Sequence, residues 1–118
     1  MDDQVSWQVE LAVKPGELDN VRTLTGEMKD STRGEAGVLS YERFVSEDGK
    51  VVHVYERYAD SAAAVAHLLT FGRKFGGRFV GIVDRKRFTV YGTPSDELRG
   101  MLDAFGATYM RPFGGFSK

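Results

Sequence analysis

Val5, Trp7, Val9, Leu11 and Val13 alternate with Ser6, Gln8, Glu10 and Ala12, the period of two expected of a strand with one buried face. Pro15-Gly16 ends that run. Leu18, Val21, Thr25 and Met28 then recur at helical spacing, with Pro15 suited to the first turn and Gly34 near the stop. Val38 to Val45 and Val51 to Tyr58 are rich in β-branched and aromatic residues, and Glu47-Asp48-Gly49-Lys50 between them supplies turn chemistry, so the two form a hairpin. Asp60 or Ser61 caps a second helix whose apolar stripe is Ala62, Val65, Ala66 and Leu69. Between Thr70 and Arg87 the repeat of Phe71, Phe75, Phe79 and Val83 favours a helix, although Gly72, Gly76, Gly77 and Gly81 oppose it by roughly 1 kcal/mol each. Asp84-Arg85-Lys86-Arg87 reads as an exposed turn, and Phe88 to Gly92 as a last strand. Thr93-Pro94-Ser95-Asp96 reads as a capping box with proline at the first helical position, opening a helix with Leu98, Met101, Leu102 and Phe105 on one face. The tail from Gly106 has no firm period.

Strand, helix, hairpin, helix, strand predicts an α+β fold: a ferredoxin-like antiparallel sheet with its helices on one face. The second face then needs a cover. Large apolar or aromatic groups occupy both alternation phases of the hairpin, with Leu39, Tyr41 and Val45 read on one side and Val38 and Phe44 on the other. A second subunit packed sheet to sheet answers this, giving a homodimer.

Composition narrows the chemistry. The 118 residues make one domain, with no repeat or low-complexity linker. With 16 basic against 17 acidic residues, no global charge draws the chain to nucleic acid or to an anionic membrane. Zero cysteines remove disulfides, thiolate catalysis and sulfur-ligated metals. The acidic start Met1-Asp2-Asp3 shows no signal peptide, and no apolar stretch is long enough to span a bilayer, so a soluble cytoplasmic protein is expected.

Short motifs add an identity. Val13-Lys14-Pro15-Gly16, Glu35-Ala36-Gly37 followed by Tyr41, Glu56-Arg57-Tyr58-Ala59-Asp60, His67 and Val90-Tyr91-Gly92 occur in that order. In this the chain resembles the antibiotic biosynthesis monooxygenase family, over about Val5 to Gly92, leaving 93–118 as a C-terminal helix and tail. The resemblance implies a dimeric α+β barrel and, in members with oxygenase activity, no metal or flavin: a deprotonated phenol or quinol itself reduces dioxygen. Such a site needs a base, an apolar pocket and donors for a developing oxyanion.

His67 is the candidate base, because imidazole accepts a proton near neutral pH; the alternative is a structural hydrogen bond that fixes its helix. Trp7, Tyr41, Arg43, His53 and Tyr55 are the candidate substrate-binding residues, with Arg43 suited to an anionic substrate oxygen. The competing reading makes the tyrosines core filler and Arg43 or Arg57 solvated or paired across strands. Glu56, on the opposite strand face from His53 and Tyr55, serves as a buried acid, a structural hydrogen-bond acceptor or a dimer salt bridge. Haem degraders of similar fold combine asparagine, tryptophan and histidine; here Trp7 stands where that asparagine is expected, and no tryptophan precedes His67 in its segment. Arg73, Lys74 and Arg78 interleave with phenylalanines as in single-strand binders, but anchored phenylalanines with solvated cations explain them more simply. With no nucleotide fingerprint and only two imidazoles, neither cofactor nor metal is expected. The leading function is a cofactor-independent monooxygenase for a small phenolic, quinol or polyketide-type aromatic compound. The alternatives are a non-catalytic dimeric module that binds a small apolar ligand, and a structural dimer whose cavity its own side chains fill.

Overall fold

A computed structural model describes residues 3–118, so Met1 and Asp2 of the acidic start lie outside the described residues. Five strands, β1 (Val5–Val13), β2 (Val38–Val45), β3 (Val51–Tyr58), β4 (Val83–Gly92) and β5 (Thr108–Met110), form one sheet in the order β2-β3-β1-β4-β5. The helices are α1 (Leu18–Arg33), α2 (Ser61–Lys74), α3 (Gly76–Ile82) and α4 (Asp96–Asp103). All pairings are antiparallel except the short β4–β5 ladder, and the sheet stays open, with β2 and β5 at its edges. This is the ferredoxin-like α+β arrangement that the element order predicts. None of the described helices is long and apolar enough to cross a membrane.

The alternation of β1 decides which face is covered. Val5, Trp7, Val9 and Leu11 are buried, and β3 adds Val52, Val54, Glu56 and Tyr58 beside them. One core cluster joins all of these but Glu56 to Val21 of α1, Ala64 of α2, and Leu98 and Leu102 of α4, so these helices share one side of the sheet. Asp60 caps α2 through the Ala63 amide at 2.9 Å.

Several boundaries differ from the sequence expectation. The repeat of Phe71, Phe75, Phe79 and Val83 is not one helix: α2 ends at Lys74 and α3 starts at Gly76, because the chain leaves helical geometry at Phe75 (φ -129), and Val83 already opens β4. The buried stripe of α2 is Ala64 and His67, flanked by Ala63, Val65 and Leu68, while Leu69 is 59 % exposed. Asp84-Arg85-Lys86-Arg87 is strand, not turn: Asp84, Arg85 and Arg87 pair in backbone with Ala12, Leu11 and Glu10 although their side chains are exposed. A register shift between Glu10 and Leu11 breaks the alternation there, which hides the strand from a period-two reading. Ser95, not Thr93, caps α4, its hydroxyl accepting from the Leu98 amide, and Pro94 precedes the cap. A bulge between Val38 and Ser40 leaves Leu39 exposed and returns Val38 to the covered face opposite Tyr58, the reverse of the predicted sides. The tail, without a period, supplies β5.

Candidate functional site

The apolar phase of β3 is interrupted by one carboxylate, Glu56, which is 4 % exposed. A bare buried charge is unstable, so its oxygens must find donors. Trp7 Nε1 donates to Oε1 at 3.0 Å, Tyr58 Oη donates to the same oxygen at 2.5 Å, and Arg43 Nη2 donates to Oε2 at 2.6 Å. Strand register does this: Trp7 and Tyr41 lie opposite Glu56 on its two sides, and Arg43 is two residues along the Tyr41 strand. Burial alone would raise the Glu56 pKa, but Arg43, His67 and the Tyr58 hydrogen bond outweigh it and hold the carboxyl below its ordinary value. The Tyr58 hydroxyl is pushed well above its ordinary value by burial and by the Glu56 charge.

His67 reaches the same centre from α2. Its Nε2 is 3.6 Å from Glu56 Oε1, and its Nδ1 is 3.1 Å from Glu35 Oε1. An ionised carboxylate only accepts, so the Glu35 contact assigns a proton to Nδ1 and leaves Nε2 facing the buried cluster. The loop carrying Glu35 comes this close because residue 37 is glycine: a Cβ there would lie 2.3 Å from the Ala63 Cβ, one helical turn before His67. The Ala59 amide donates to the Gly37 carbonyl at 2.9 Å and locks that approach. The Tyr41 and Tyr58 rings flank His67 at 5.7 and 5.4 Å between centroids.

Beside this network lies a cavity of about 60 Å³, whose borders include Trp7, Arg43, Glu56, His67, Phe71 and Phe88. Its walls are mostly apolar, and four of its polar or charged residues, Trp7, Arg43, Glu56 and His67, belong to the network around Glu56. That volume holds roughly four waters at about 15 Å³ each. Arg43 stacks over the Tyr41 ring at 3.5 Å, and with Nη2 committed to Glu56, its Nε and Nη1 are buried without an acceptor. Burial, partly offset by Arg43, pushes the Tyr41 hydroxyl up to about 12. That hydroxyl also lacks a well-formed hydrogen bond, with the Thr32 side chain its polar neighbour.

Trp7, Tyr41, Arg43 and His67 thus come together on the helix-covered face. His53 and Tyr55 do not: they occupy the alternate phase of β3 and project to the open face. There His53 Nδ1 is 3.0 Å from the Gln8 side-chain amide and His53 Nε2 is 3.5 Å from Glu10 Oε1, while Arg57 donates to Gln4 Oε1 at 3.0 Å. Of the readings open for Glu56, burial and a hydrogen-bonded ion pair within the subunit hold together. Glu35 was not recognisable as a site residue from pattern alone, nor were the wall residues Phe79, Arg85 and Phe105. A signal for Glu56 was present, since a carboxylate falls on the apolar phase of Val52, Val54 and Tyr58. Among the described residues no group of three or more His, Cys, Asp or Glu side chains is arranged to hold a metal ion.

The family model described as antibiotic biosynthesis monooxygenase matches residues 5–70. No curated protein matches the chain in a sequence search. Among solved structures, MupZ from Pseudomonas fluorescens superposes with a TM-score of 0.90 at 21% identity, covering 100% of this chain and 91% of MupZ. SnoaB, a cofactor-independent oxygenase from Streptomyces nogalater, gives a TM-score of 0.68 at 10% identity, covering 79% of this chain and 95% of SnoaB. Rv0793 from Mycobacterium tuberculosis gives 0.58 at 26% identity, covering 79% and 96%. The first two likenesses establish the fold, which for MupZ extends through α4 and the tail.

Proposed function

Because the chain belongs to the antibiotic biosynthesis monooxygenase family, we propose that it is a cofactor-independent monooxygenase for a small phenolic, quinol or polyketide-type aromatic compound. One observation carries the reading: Arg43 presents two buried N–H donors without acceptors beside an apolar cavity. Leaving such donors unpaired costs roughly 1–3 kcal/mol each. A phenolate oxygen would accept from one of them, and the flanking aromatic walls suit the ring behind it.

Roles follow from the contacts. His67, oriented through Nδ1 by Glu35, takes the phenolic proton on Nε2, and the imidazolium formed lies between two carboxylates. Arg43 holds the phenolate. The electron-rich ring then passes one electron to dioxygen, and the resulting superoxide and aryloxyl radical join at a ring carbon to give a peroxide. Loss of water from that peroxide gives the quinone, so phenol plus dioxygen yields quinone plus water, with one oxygen atom inserted. Glu56, tied to Arg43, Trp7 and Tyr58, keeps the guanidinium in place. A second copy packed on the open sheet face, where Phe44 is 57 % exposed, completes the homodimer in this reading.

The test is oxygen uptake with isotopically labelled dioxygen and mass spectrometry of the product, using a hydroquinone or anthrol. His67→Ala is expected to lower turnover roughly 10²-fold or more, the scale of a positioned general base, with the fold intact. Binding of the aromatic compound without incorporation of labelled oxygen would make the protein a binding module instead.

A further inference from the structure

The cavity beside His67 has an aliphatic neighbour. A second void of about 10 Å³ lies beneath α1, bordered by Leu11, Val21, Leu24, Met28 and Val52 among others. Three residues border both spaces: Arg43, Val54 and Phe79. Two of them are fixed. Val54 is buried in a strand paired on both sides, and Arg43 is held by Glu56. Phe79 stands on α3, a helix with no buried residue; its ring is partly buried against the core and meets the Phe71 ring edge-on at 5.2 Å and 82°. The helix itself is set in place by Arg78, whose two N–H groups donate to Glu27 at 2.9 and 2.7 Å, and by Lys14 Nζ, which donates to the Val80 carbonyl at 3.0 Å.

We propose that Phe79 determines ligand length: its ring closes the end of the aromatic cavity and shuts off the aliphatic space under α1. This rests on the reading that the cavity beside His67 is the substrate site. The wild-type protein then takes a compact phenol and rejects one whose alkyl chain must pass Phe79. Removing the ring joins the two spaces, and the volume it vacates, extended by the void of about 10 Å³, forms a slot bordered mostly by Leu, Val and Met side chains with Thr25 beside them, which recognises an alkyl chain chiefly by apolar burial.

Trp7 is the one tryptophan of the chain, is 1 % exposed and borders the cavity, so its fluorescence reports binding without turnover. The probes are ortho- and para-methylphenol and the corresponding butylphenols. Wild type is expected to bind methylphenol about tenfold or more tighter than butylphenol. In Phe79→Ala the order reverses, by about tenfold, below the roughly 50-fold that full burial of three more methylenes would give. Phe79→Leu, a gentler truncation, shifts the ratio in the same direction and stands in if the alanine variant does not fold. Phe71→Ala enlarges the first cavity without touching the second and leaves butylphenol excluded. The proposal is overturned if wild type binds butylphenol as tightly as methylphenol, if neither Phe79 variant changes the ratio, or if Phe71→Ala changes it as much. Failure of wild type to bind any of these phenols would instead strike the reading of the cavity as the substrate site, and the length proposal with it.

Discussion

The two faces of one sheet carry similar side chains in different circumstances. On the covered face, β1 and β3 contribute Trp7, Glu56 and Tyr58, joined by Arg43 and His67; on the open face the same two strands contribute Gln8, Glu10, His53 and Tyr55. Each set has a histidine next to glutamate. Only the covered set is desolvated, so there the Glu56 carboxylate must gather three donors, Trp7, Tyr58 and the cationic Arg43, whereas the His53 and Glu10 side chains are 40 and 33 % exposed and screened by water. The difference teaches that residue type does not make a site. Alternation along β3 places Tyr55 one residue and His53 three residues from Glu56 in sequence, yet both across the sheet from the cluster in space.

The largest contrast is in stability. Glu56→Ala leaves the Arg43 guanidinium buried without its partner and is expected to cost about 3–5 kcal/mol in denaturant unfolding. His53→Ala, on the open face, should stay within about 0.5 kcal/mol. Equal losses from the two variants would mean that the Glu56 cluster is not a buried ion-pair network.

Titration separates the faces next. Tyr41 has a folded pKa of about 12 against 10.0 unfolded, and Tyr58 is also raised. A raised pKa contributes stability that is whole below the unfolded value and is lost as pH climbs through the folded one. Tyr41 alone therefore accounts for about 2–3 kcal/mol lost between pH 10 and 12. Glu56 is depressed, so its contribution is present above the ordinary 4.5 and disappears as pH falls below it. Thermal unfolding across pH, compared between wild type and Tyr41→Phe, reads the alkaline limb; a limb that survives unchanged in Tyr41→Phe does not come from Tyr41.

The open face gives a smaller effect, on assembly. Phe44, register partner of His53, lies on that face, and Phe44→Asp should weaken the proposed homodimer by roughly 2 kcal/mol, about 30-fold in dissociation constant. Sedimentation at micromolar concentration checks it. A wild-type monomer there would leave the open face without its proposed cover.

Much of this architecture could be read beforehand, for identifiable reasons. Val38 to Val45 and Val51 to Tyr58 are β-branched and aromatic with turn residues between, and the observed hairpin has those limits. What stayed hidden depends on contacts distant in sequence. The α2 stripe turns toward Ala64 and His67 because Glu35 and Glu56 draw the imidazole inward, overriding the more apolar Leu69. The charged run Asp84 to Arg87 is strand because β1 claims its backbone, which side-chain polarity does not report. Of the site, His67, Arg43, Tyr41 and Trp7 were legible as residue types. Glu35 was not, since nothing local says that Gly37 brings its loop against Ala63.

The claim that the covered face holds the ligand is tested most directly by titrating Trp7 fluorescence with an electron-rich phenol in three proteins. Wild type should show saturable binding, Arg43→Ala should weaken it roughly tenfold or more by removing the donors for the phenolate, and His53→Ala should match wild type. Binding that survives Arg43→Ala but is lost in His53→Ala would place the ligand on the open face and contradict the account.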